Sequence, residues 1–289
     1  MKTNAIVRIV LFSLAILVLV GILFGALSFN MFRFDSSAMN EQAEEFNVHL
    51  DQIRTEYATE DIRNIKIDWV DGNITICKDA AVSEITVTEK SAEDSDHRMR
   101  VVQSGNTLKI EYSDSGVHIF GFGNHTFVRK DLEITVPADW DCALLEIDTA
   151  SAEIVIEDLT IDEFDFEGAS GVCKINNCNV GGMDIDTASG GIYFSGTLET
   201  LDCDAASADC SIEVSNIPRS IKMDGMSGDL ELILPPDAGF TCTMDTMSGD
   251  FESDFEFKSR NDTYICGDGD CKIEVSGMSG AVSILKGIA

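Results

Sequence analysis

Hydrophobic and polar residues alternate through most of the chain after residue 64, and the alternation is organised in similar segments of twelve or so residues. The clearest copies are LEIDTASAEIVI (145–156), MDIDTASGGIYF (183–194) and IKMDGMSGDLEL (221–232), which align on a central serine. The aligned serines are Ser151, Ser170, Ser189, Ser207, Ser227, Ser248 and Ser279. An earlier copy, IKIDWVDGNITI (65–76), has Asp71 in the serine position. Internal repetition of this kind indicates a repeat architecture.

The aligned copies predict two short strands joined at a corner. Apolar residues stand six and four positions before the serine, and again three and five positions after it. Each half therefore has the period of two that a half-buried strand requires, and the parity changes across the serine. Only Ala or Gly follows the serine, which suits a corner where neighbouring backbones approach closely. We predict an all-β fold, a β-solenoid with coils of about 20 residues that contain two short strands each.

One further internal similarity lies outside the serine alignment. The segment DLEITVPADWDC (131–142) resembles DLELILPPDAGF (229–240). Both predict a strand that ends at a proline corner before the next strand begins.

The amino-terminal segment differs from the rest of the chain, because residues 9–29 carry no charge and are mostly apolar. A helix of this length could cross a hydrocarbon core of about 30 Å, so we predict one amino-terminal transmembrane helix. Lys2 and Arg8 precede it and place the amino terminus in the cytoplasm by the positive-inside tendency. The alternative is a cleaved signal peptide, for which Ala26-Leu27-Ser28 offers a cleavage site. Under both interpretations, the part of the chain after this segment lies outside the cytoplasm.

These observations give a predicted domain organisation. It comprises a cytoplasmic amino terminus (1–8), a transmembrane helix (9–29), a juxtamembrane spacer (30–64), a first coil with amino-terminal capping hairpins (65–144) and a repeat β-solenoid (145–289). The predicted location is the cell membrane, with a single pass and an extracellular carboxy-terminal domain. The net charge limits the classes of partner that the protein can bind. The chain has 20 Lys and Arg against 51 Asp and Glu, a formal net charge of −31. Such a surface repels a phosphate backbone, so we expect no nucleic-acid partner.

A column of acidic residues runs through the repeats, three positions before the serine in six of the seven copies. Its members are Asp148, Glu167, Asp186, Asp204, Asp224 and Asp245. By alternation they point outward, and carboxylates on rungs about 4.8 Å apart repel by about 0.9 kcal/mol per pair in bulk water. One interpretation is that the column binds Ca²⁺, a cation that takes several oxygen ligands. The other is that each acid accepts hydrogen bonds at its own corner.

Nine cysteines fall into two groups. Cys173, Cys203, Cys210 and Cys242 occupy core columns, where a free cysteine behaves as a small hydrophobe. Cys173 and Cys210 share a column two coils apart, about 9.6 Å, which is too far for a disulfide. The candidates for a bridge or a metal site are the cysteines at corners and in irregular segments, namely Cys77, Cys142, Cys178, Cys266 and Cys271.

No catalytic motif stands out. The repeated serine lies in segments such as GASGV and GMSGD, which are not the GxSxG of a nucleophile elbow. Seven copies indicate a structural corner, and the histidines fall outside the repeats. Pairs of carboxylates could cleave glycans, but carboxylates are so abundant here that a pair carries little information. We therefore predict a protein that is not an enzyme.

The repeat pattern xIxIDxxSGDIxI behind one membrane segment resembles the putative-adhesin family, a domain of unknown function. It is also similar to Lia-type membrane-anchored envelope-stress proteins of Gram-positive bacteria. The resemblance covers residues 62 to 285 and rests on DTAS (148–151), DTASG (186–190), DGMSGD (224–229) and DTMSGD (245–250).

What this resemblance implies is a binding or scaffold module at the bacterial cell envelope, with a surface ligand as its partner. The alternative function is a component of envelope-stress signalling that acts through membrane proteins. A glycan-acting enzyme is the third hypothesis.

Overall fold

The computed structural model describes residues 52–57, 62–91, 98–112 and 129–287. The predicted cytoplasmic segment, the predicted transmembrane helix and most of the predicted spacer lie outside these ranges. No helix within them is long and apolar enough to cross a membrane. All the elements that the structure describes are β-strands.

The strands follow one another along the chain as β1 (Gln52–Tyr57), β2 (Asn64–Asp79), β3 (Ile85–Ser91), β4 (Arg100–Ser104), β5 (Thr107–Glu111), β6 (Lys130–Pro137), β7 (Cys142–Glu157), β8 (Thr160–Val214), β9 (Ser220–Ser227), β10 (Leu230–Leu234), β11 (Phe240–Ser248), β12 (Phe251–Ser253), β13 (Lys258–Arg260), β14 (Thr263–Cys266), β15 (Cys271–Ser279) and β16 (Val282–Lys286). They are connected by hydrogen bonds in the spatial order β1-β3-β6-β2-β7-β8-β9-β15-β11-β14-β13. The long β8 contains three successive coils of the repeat.

Parallel, in-register pairing between repeats confirms the predicted all-β solenoid. Asp71 of β2 pairs with Ser151 of β7, which pairs with Ser170 of β8. The predicted inward columns form the core, where Ile147 and Ile154 are both fully buried. Like residues therefore stack in ladders along the solenoid, and each corner lies beside the corner of a neighbouring coil.

Glycine is required at the corner that follows Ser189, because the coils almost touch there. Gly190, directly after Ser189, has a φ of 140°. A Cβ at this position would lie 1.9 Å from the carbonyl oxygen of Gly171 in the preceding coil. Both the backbone conformation and the contact exclude a side chain at this corner, which explains why glycine follows Ser189.

The two Pro corners predicted from the similar segments adopt the same turn. The amide of Trp140 donates to the carbonyl of Pro137 at 3.1 Å, and the amide of Ala238 donates to the carbonyl of Pro235 at 3.0 Å. Each turn leads directly into the strand that begins the next coil, as the internal similarity predicts.

The amino-terminal end is covered by antiparallel strands. β5 and β6 stack in parallel on the two halves of β2, so β2 lies between them and β7. β3 then pairs antiparallel with β6, β1 with β3, and β4 with β5. These antiparallel strands cover edges that would otherwise offer unpaired backbone groups.

A buried ion pair holds this end together. Lys130 is fully buried and Glu89 is 4% exposed, and the Nζ of Lys130 lies 2.8 Å from Oε2 of Glu89. The same ammonium donates to the carbonyl of Tyr112 and lies 4.0 Å from the centroid of its ring. The indole of Trp69 donates to the carbonyl of Lys130 at 3.0 Å. One cation thus links strands from three parts of the chain through charge-assisted and cation–π contacts.

At the carboxy-terminal end the coils are not stacked in sequence order. β15 pairs in parallel with β9 on one side and with β11 on the other, and β16 likewise lies between β10 and β12. The last repeat therefore inserts between the two repeats that precede it. The longer interval between Ser248 and Ser279 is explained by the hairpin β13–β14, which covers β11 before the chain returns.

Candidate functional site

One face of the solenoid carries a continuous row of acidic side chains. It is the outer face of the strands that precede each serine, and we call the row three positions before the serine the first column. In spatial order it contains Glu111, Asp68, Asp148, Glu167, Asp186, Asp204, Asp224, Ser276 and Asp245. None of its members is buried, in agreement with the predicted outward orientation. Ser276 interrupts the row because the last repeat is inserted there.

A second column lies beside it, five positions before the serine, and was not recognised from the sequence. Its members in spatial order are Lys109, Lys66, Glu146, Asp165, Asp184, Asp202, Lys222 and Glu274. Its acidic stretch, Glu146 to Asp202, is flanked by Lys66 and Lys222, so the column as a whole does not stand out as acidic in the sequence.

Together the centres of the two columns form what we call the acidic face. It consists of Glu146, Asp148, Asp165, Glu167, Asp184, Asp186, Asp202 and Asp204. Four adjacent coils contribute two carboxylates each.

Cations contact the acidic face only at its two ends, within the part of the chain that the structure describes. Lys66 forms an ion pair with Glu146 and lies 4.0 Å from Asp148. Lys222 lies 2.8 Å from Asp202 and 2.9 Å from Asp224. The carboxylates of the middle coils have no such partner, so their mutual repulsion is offset only by solvent and by protonation.

Burial is the main cause of the raised carboxyl pKa values on this face, and the neighbouring carboxylates add to it. Burial raises the pKa of Asp148 to about 7, with the charges of Glu167 and Glu146 adding to the effect and Lys66 opposing it. Burial by the neighbouring rungs, followed by the charges of Asp204 and Asp184, raises the pKa of Asp186 to about 6. Such values are far above that of an isolated aspartate, so the acidic face binds protons near neutral pH.

Asp224, at the edge of the acidic face, has a pKa that is shifted downward, in contrast to those of Asp148 and Asp186. Burial would raise its pKa, but hydrogen bonds from Ser276 and Lys222 lower the pKa below the usual value. The hydroxyl of Ser276 comes from the inserted coil and donates to Oδ1 of Asp224. A carboxylate that accepts hydrogen bonds from Ser276 and Lys222 therefore has a pKa shifted in the opposite direction to that of Asp186, which has no such partner.

The interpretation that each acid of the first column accepts hydrogen bonds at its own corner is wrong for Glu167 and Asp186. Neither carboxylate accepts a hydrogen bond within the described ranges, and only burial and neighbouring charges shift their pKa values. The corner hydrogen bonds are made two positions after the serine. Oδ1 of Asp209 accepts from the amide of Asp229 at 3.1 Å, and Oδ1 of Asp229 accepts from the amide of Ala281 at 2.8 Å.

The repeated serines connect successive coils. The hydroxyl of Ser189 donates to the carbonyl of Ala169 at 3.4 Å, and that of Ser227 donates to the hydroxyl of Ser207 at 3.3 Å. An open groove of about 600 Å³ follows the corners in the carboxy-terminal half. Its walls are polar, and they include Ser207, Ser227, Ser248, Asp209, Asp229 and Asp250.

The calcium prediction concerns Asp148, Glu167, Asp186, Asp204, Asp224 and Asp245. The structure places the first five in one column on adjacent coils, and Ser276 of the inserted coil separates Asp224 from Asp245. Among the residues that the structure describes, no three His, Cys, Asp or Glu side chains form a group that could hold a metal ion. Calcium binding by this column stays a prediction from the sequence.

All nine cysteines are free thiols. Burial of Cys173, Cys203, Cys210 and Cys242 confirms their predicted core positions. Four of the five cysteines proposed for corners and irregular segments are buried as well, namely Cys142, Cys178, Cys266 and Cys271. Cys77 alone is partly exposed. These four thiols therefore lie in the interior like those of the core columns, and their role as bridge or metal candidates stays a prediction from the sequence.

Comparison with known proteins identifies a family. Residues 62–285 match the family described as Toastrack DUF4097, which confirms the family resemblance predicted from the repeats. No curated protein matches the chain.

Solved structures with similarity to this chain include the following three. A putative adhesin from Bacteroides fragilis is 14% identical, with 81% of this chain and 96% of that chain covered and a TM-score of 0.44. A putative lipid binding protein from Parabacteroides distasonis is 16% identical, with 82% and 97% covered and a TM-score of 0.42. A putative cell adhesion protein from Clostridium sporogenes is 14% identical, with 82% and 99% covered and a TM-score of 0.38.

Proposed function

Since the chain belongs to the Toastrack DUF4097 family, we propose that it is a non-catalytic binding or scaffold module, anchored to the outside of a bacterial cell membrane by one amino-terminal helix. The observation that supports this proposal is the acidic face. Eight carboxylates lie on four adjacent coils, on strands that are hydrogen-bonded to neighbours on both sides. A ligand therefore meets a fixed array of charge that needs no ordering on binding.

The chemistry of this face favours a cationic partner, such as a surface polymer or a protein segment rich in Lys and Arg. Complementary charge accelerates encounter and selects partners, and the resulting affinity falls as salt is added. The repeated serines serve the fold in this proposal, because their hydroxyls donate to the preceding coil. The polar groove along the corners lies on the edge of the solenoid and could extend the contact surface.

A binding experiment tests the role of the acidic face. The full-length chain in detergent is titrated with a lysine-rich peptide of about 20 residues, by fluorescence anisotropy, at low and at high salt. We expect binding at low salt that is lost in the variant Asp165→Asn/Asp184→Asn/Asp186→Asn.

A matched control removes the same number of charges elsewhere. The exposed acids Glu157, Glu213 and Glu231 lie on the strands after the serine, on the other sheet face, and are changed together to Gln. Binding should survive in this control. Equal loss in both variants would contradict the proposal, since only the net charge would then matter.

The proposed anchor and orientation rest on the uncharged residues 9–29 and on Lys2 and Arg8 before them. Labelling intact cells with a membrane-impermeant maleimide tests them. The exposed Asp237 is changed to Cys in a Cys77→Ser background, which removes the one partly exposed native thiol. Labelling without lysis is expected, and labelling only after lysis would contradict export.

The alternative function, envelope-stress signalling through membrane partners, predicts a different dependence on the anchor. A binding module retains its ligand after release from the membrane, whereas a signalling component acts only while tethered. Proteolytic release of the exported part from intact cells, followed by the same peptide titration on the released and membrane fractions, distinguishes them. Binding by the released fraction supports the binding module.

A further inference from the structure

Two thiols face each other inside the central coil. Cys203 stands four positions before Ser207 and Cys210 three positions after it, so the chain turns the corner between them. Their Sγ atoms lie 3.9 Å apart, and the two residues are 0% and 2% exposed. In the coil before, the same two positions hold Ile185 and Ile192, an ordinary apolar pair.

We propose that Cys203 and Cys210 are a disulfide-forming pair, a modification site that covalently joins the two strands of this coil. The sulfurs are already in contact and side chains on opposite strands point toward each other, so only a small approach separates them from bonding distance. The chemical class of the co-reactant is an oxidised small-molecule or protein disulfide. This inference does not depend on the proposed binding function.

The reaction balances as two thiol–disulfide exchanges with oxidised glutathione. The thiolate of one cysteine attacks the glutathione disulfide and forms a mixed disulfide, and one glutathione leaves as its thiol. The thiolate of the second cysteine attacks the protein sulfur of this mixed disulfide and releases the second glutathione. The protein dithiol is oxidised by two electrons, and one glutathione disulfide is reduced to two thiols.

The environment indicates when this reaction takes place. The hydrogen bond with Cys210, together with burial, raises the pKa of the Cys203 thiol. Since the thiolate is the attacking species, the closed coil resists oxidation. The bond therefore forms while the coil is still open, before or during folding. Once formed, it is shielded from reductants by the same burial.

Cys178 provides an internal comparison, because it lies in the same tryptic peptide. No Lys or Arg occurs between Lys174 and Arg219, so residues 175–219 carry Cys178, Cys203 and Cys210 together. The thiol of Cys178 donates to the carbonyl of Asn176 at 3.3 Å. We expect it to remain free.

The experiment is refolding of the denatured full-length chain in detergent, with and without oxidised glutathione, followed by denaturation, alkylation with iodoacetamide and mass spectrometry. After oxidative refolding, peptide 175–219 should carry one alkyl group, on Cys178. Its mass should be two hydrogens lower than that of the same singly alkylated peptide with two free thiols. Reduction should restore three alkyl groups. Three alkyl groups after oxidative refolding, or a bridge that includes Cys178, would overturn the proposal.

A pair of variants adds a second measurement. Cys210→Ala removes one partner, and Cys173→Ala removes a buried thiol from the same column two coils away. The thermal midpoint should rise on oxidative refolding for the natural chain and for Cys173→Ala, because the bridge restricts the unfolded chain. It should not change for Cys210→Ala. A rise that persists in Cys210→Ala would assign the effect to other cysteines and contradict the pair.

Discussion

Ile273 lies in register beside Ile221, although 52 residues separate them and a complete repeat lies between them in the chain. The other edge of the same strand pairs with the intervening repeat, where Ile273 meets Cys242. The carboxy-terminal segment is therefore an internal layer of the solenoid. The amino-terminal end has the same device, since β2 lies between strands that follow it in the chain.

Removal of residues 270–289 tests this order directly. In a solenoid stacked in sequence order the truncation would remove only the last layer. Here we expect it to remove the parallel partner of β11, so the β11 amides that donate to β15 should lose their protection against hydrogen exchange, while those that face β14 are not part of the test. Amides of β7, which is paired on both sides by other strands, serve as the control and should stay protected. Unchanged protection of β11 would mean that it pairs directly with β9.

A second prediction concerns the buried ion pair at the other end. Lys130→Met should lower the free energy of unfolding by about 3–5 kcal/mol, because Glu89 would be left buried without its cation. Lys90→Met is the control, since its pair with Glu133 is 45% and 40% exposed and should contribute about 1 kcal/mol or less. Urea unfolding measures both. Equal effects would show that burial of the Lys130–Glu89 pair has no energetic consequence.

The solenoid was predictable because its signals are local: alternation identifies the inward columns, and the small residue after each serine marks the corner. The order of the last layers was not, since Ile221, Cys242 and Ile273 are interchangeable apolar residues in one column. No side chain in the column distinguishes one neighbour from another.

The candidate site was predictable only in part. The first acidic column is almost uniform and stands out, whereas Lys66 and Lys222 break the second. The buried ion pair could have been found from alternation alone, because Glu89 has the inward parity of Ile85 and Val87. Lys130 likewise has the inward parity of Leu132. One acidic and one basic residue at inward positions of paired strands are the signal for a buried ion pair. It lies outside the repeats, from which the fold is predicted.

Corner packing gives a third prediction. Gly190→Ala combines a positive φ with a Cβ that would lie 1.9 Å from a backbone oxygen, so it should destabilise the fold by more than about 3 kcal/mol. Gly105→Ala is the matched control, because its φ is 60° and a Cβ there meets nothing within 4 Å. Its cost should be about 1 kcal/mol. Comparable thermal midpoints of the two variants would mean that the coils do not pack closely at the corner.

The calcium prediction can be checked by thermal unfolding with EDTA and with millimolar Ca²⁺. Binding by the first column would neutralise adjacent carboxylates and raise the midpoint, as linkage to a ligand of the folded state requires. The variant Glu167→Gln should reduce the rise, because its carboxylate lies between Asp148 and Asp186. An unchanged midpoint with and without Ca²⁺ would contradict the prediction.

The fifth prediction is that mild acid stabilises this protein. Asp148 and Asp186 have pKa values of about 7 and about 6 in the folded state, above the value of an unfolded aspartate. At pH values between the unfolded and the folded pKa, the folded state binds more protons than the unfolded state. The free energy of unfolding therefore increases as the pH falls through this range. The destabilising effect of the two charges is fully present above the folded pKa values and disappears below about pH 4. The thermal midpoint should therefore be higher at pH 5 than at pH 8.

Two variants separate these carboxyls from the general effect of net charge. Asp186→Asn removes an unpaired carboxylate and should raise the thermal midpoint at pH 8 by about 2 °C, with little change at pH 4, where the native side chain is already neutral. Asp202→Asn removes the same charge from an acid that lies 2.8 Å from Lys222, so it should not raise the midpoint at pH 8. Equal stabilisation by both variants would show that only total charge matters. A gain confined to Asp186→Asn, and lost in acid, would locate the pH dependence in the unpaired centre of the acidic face.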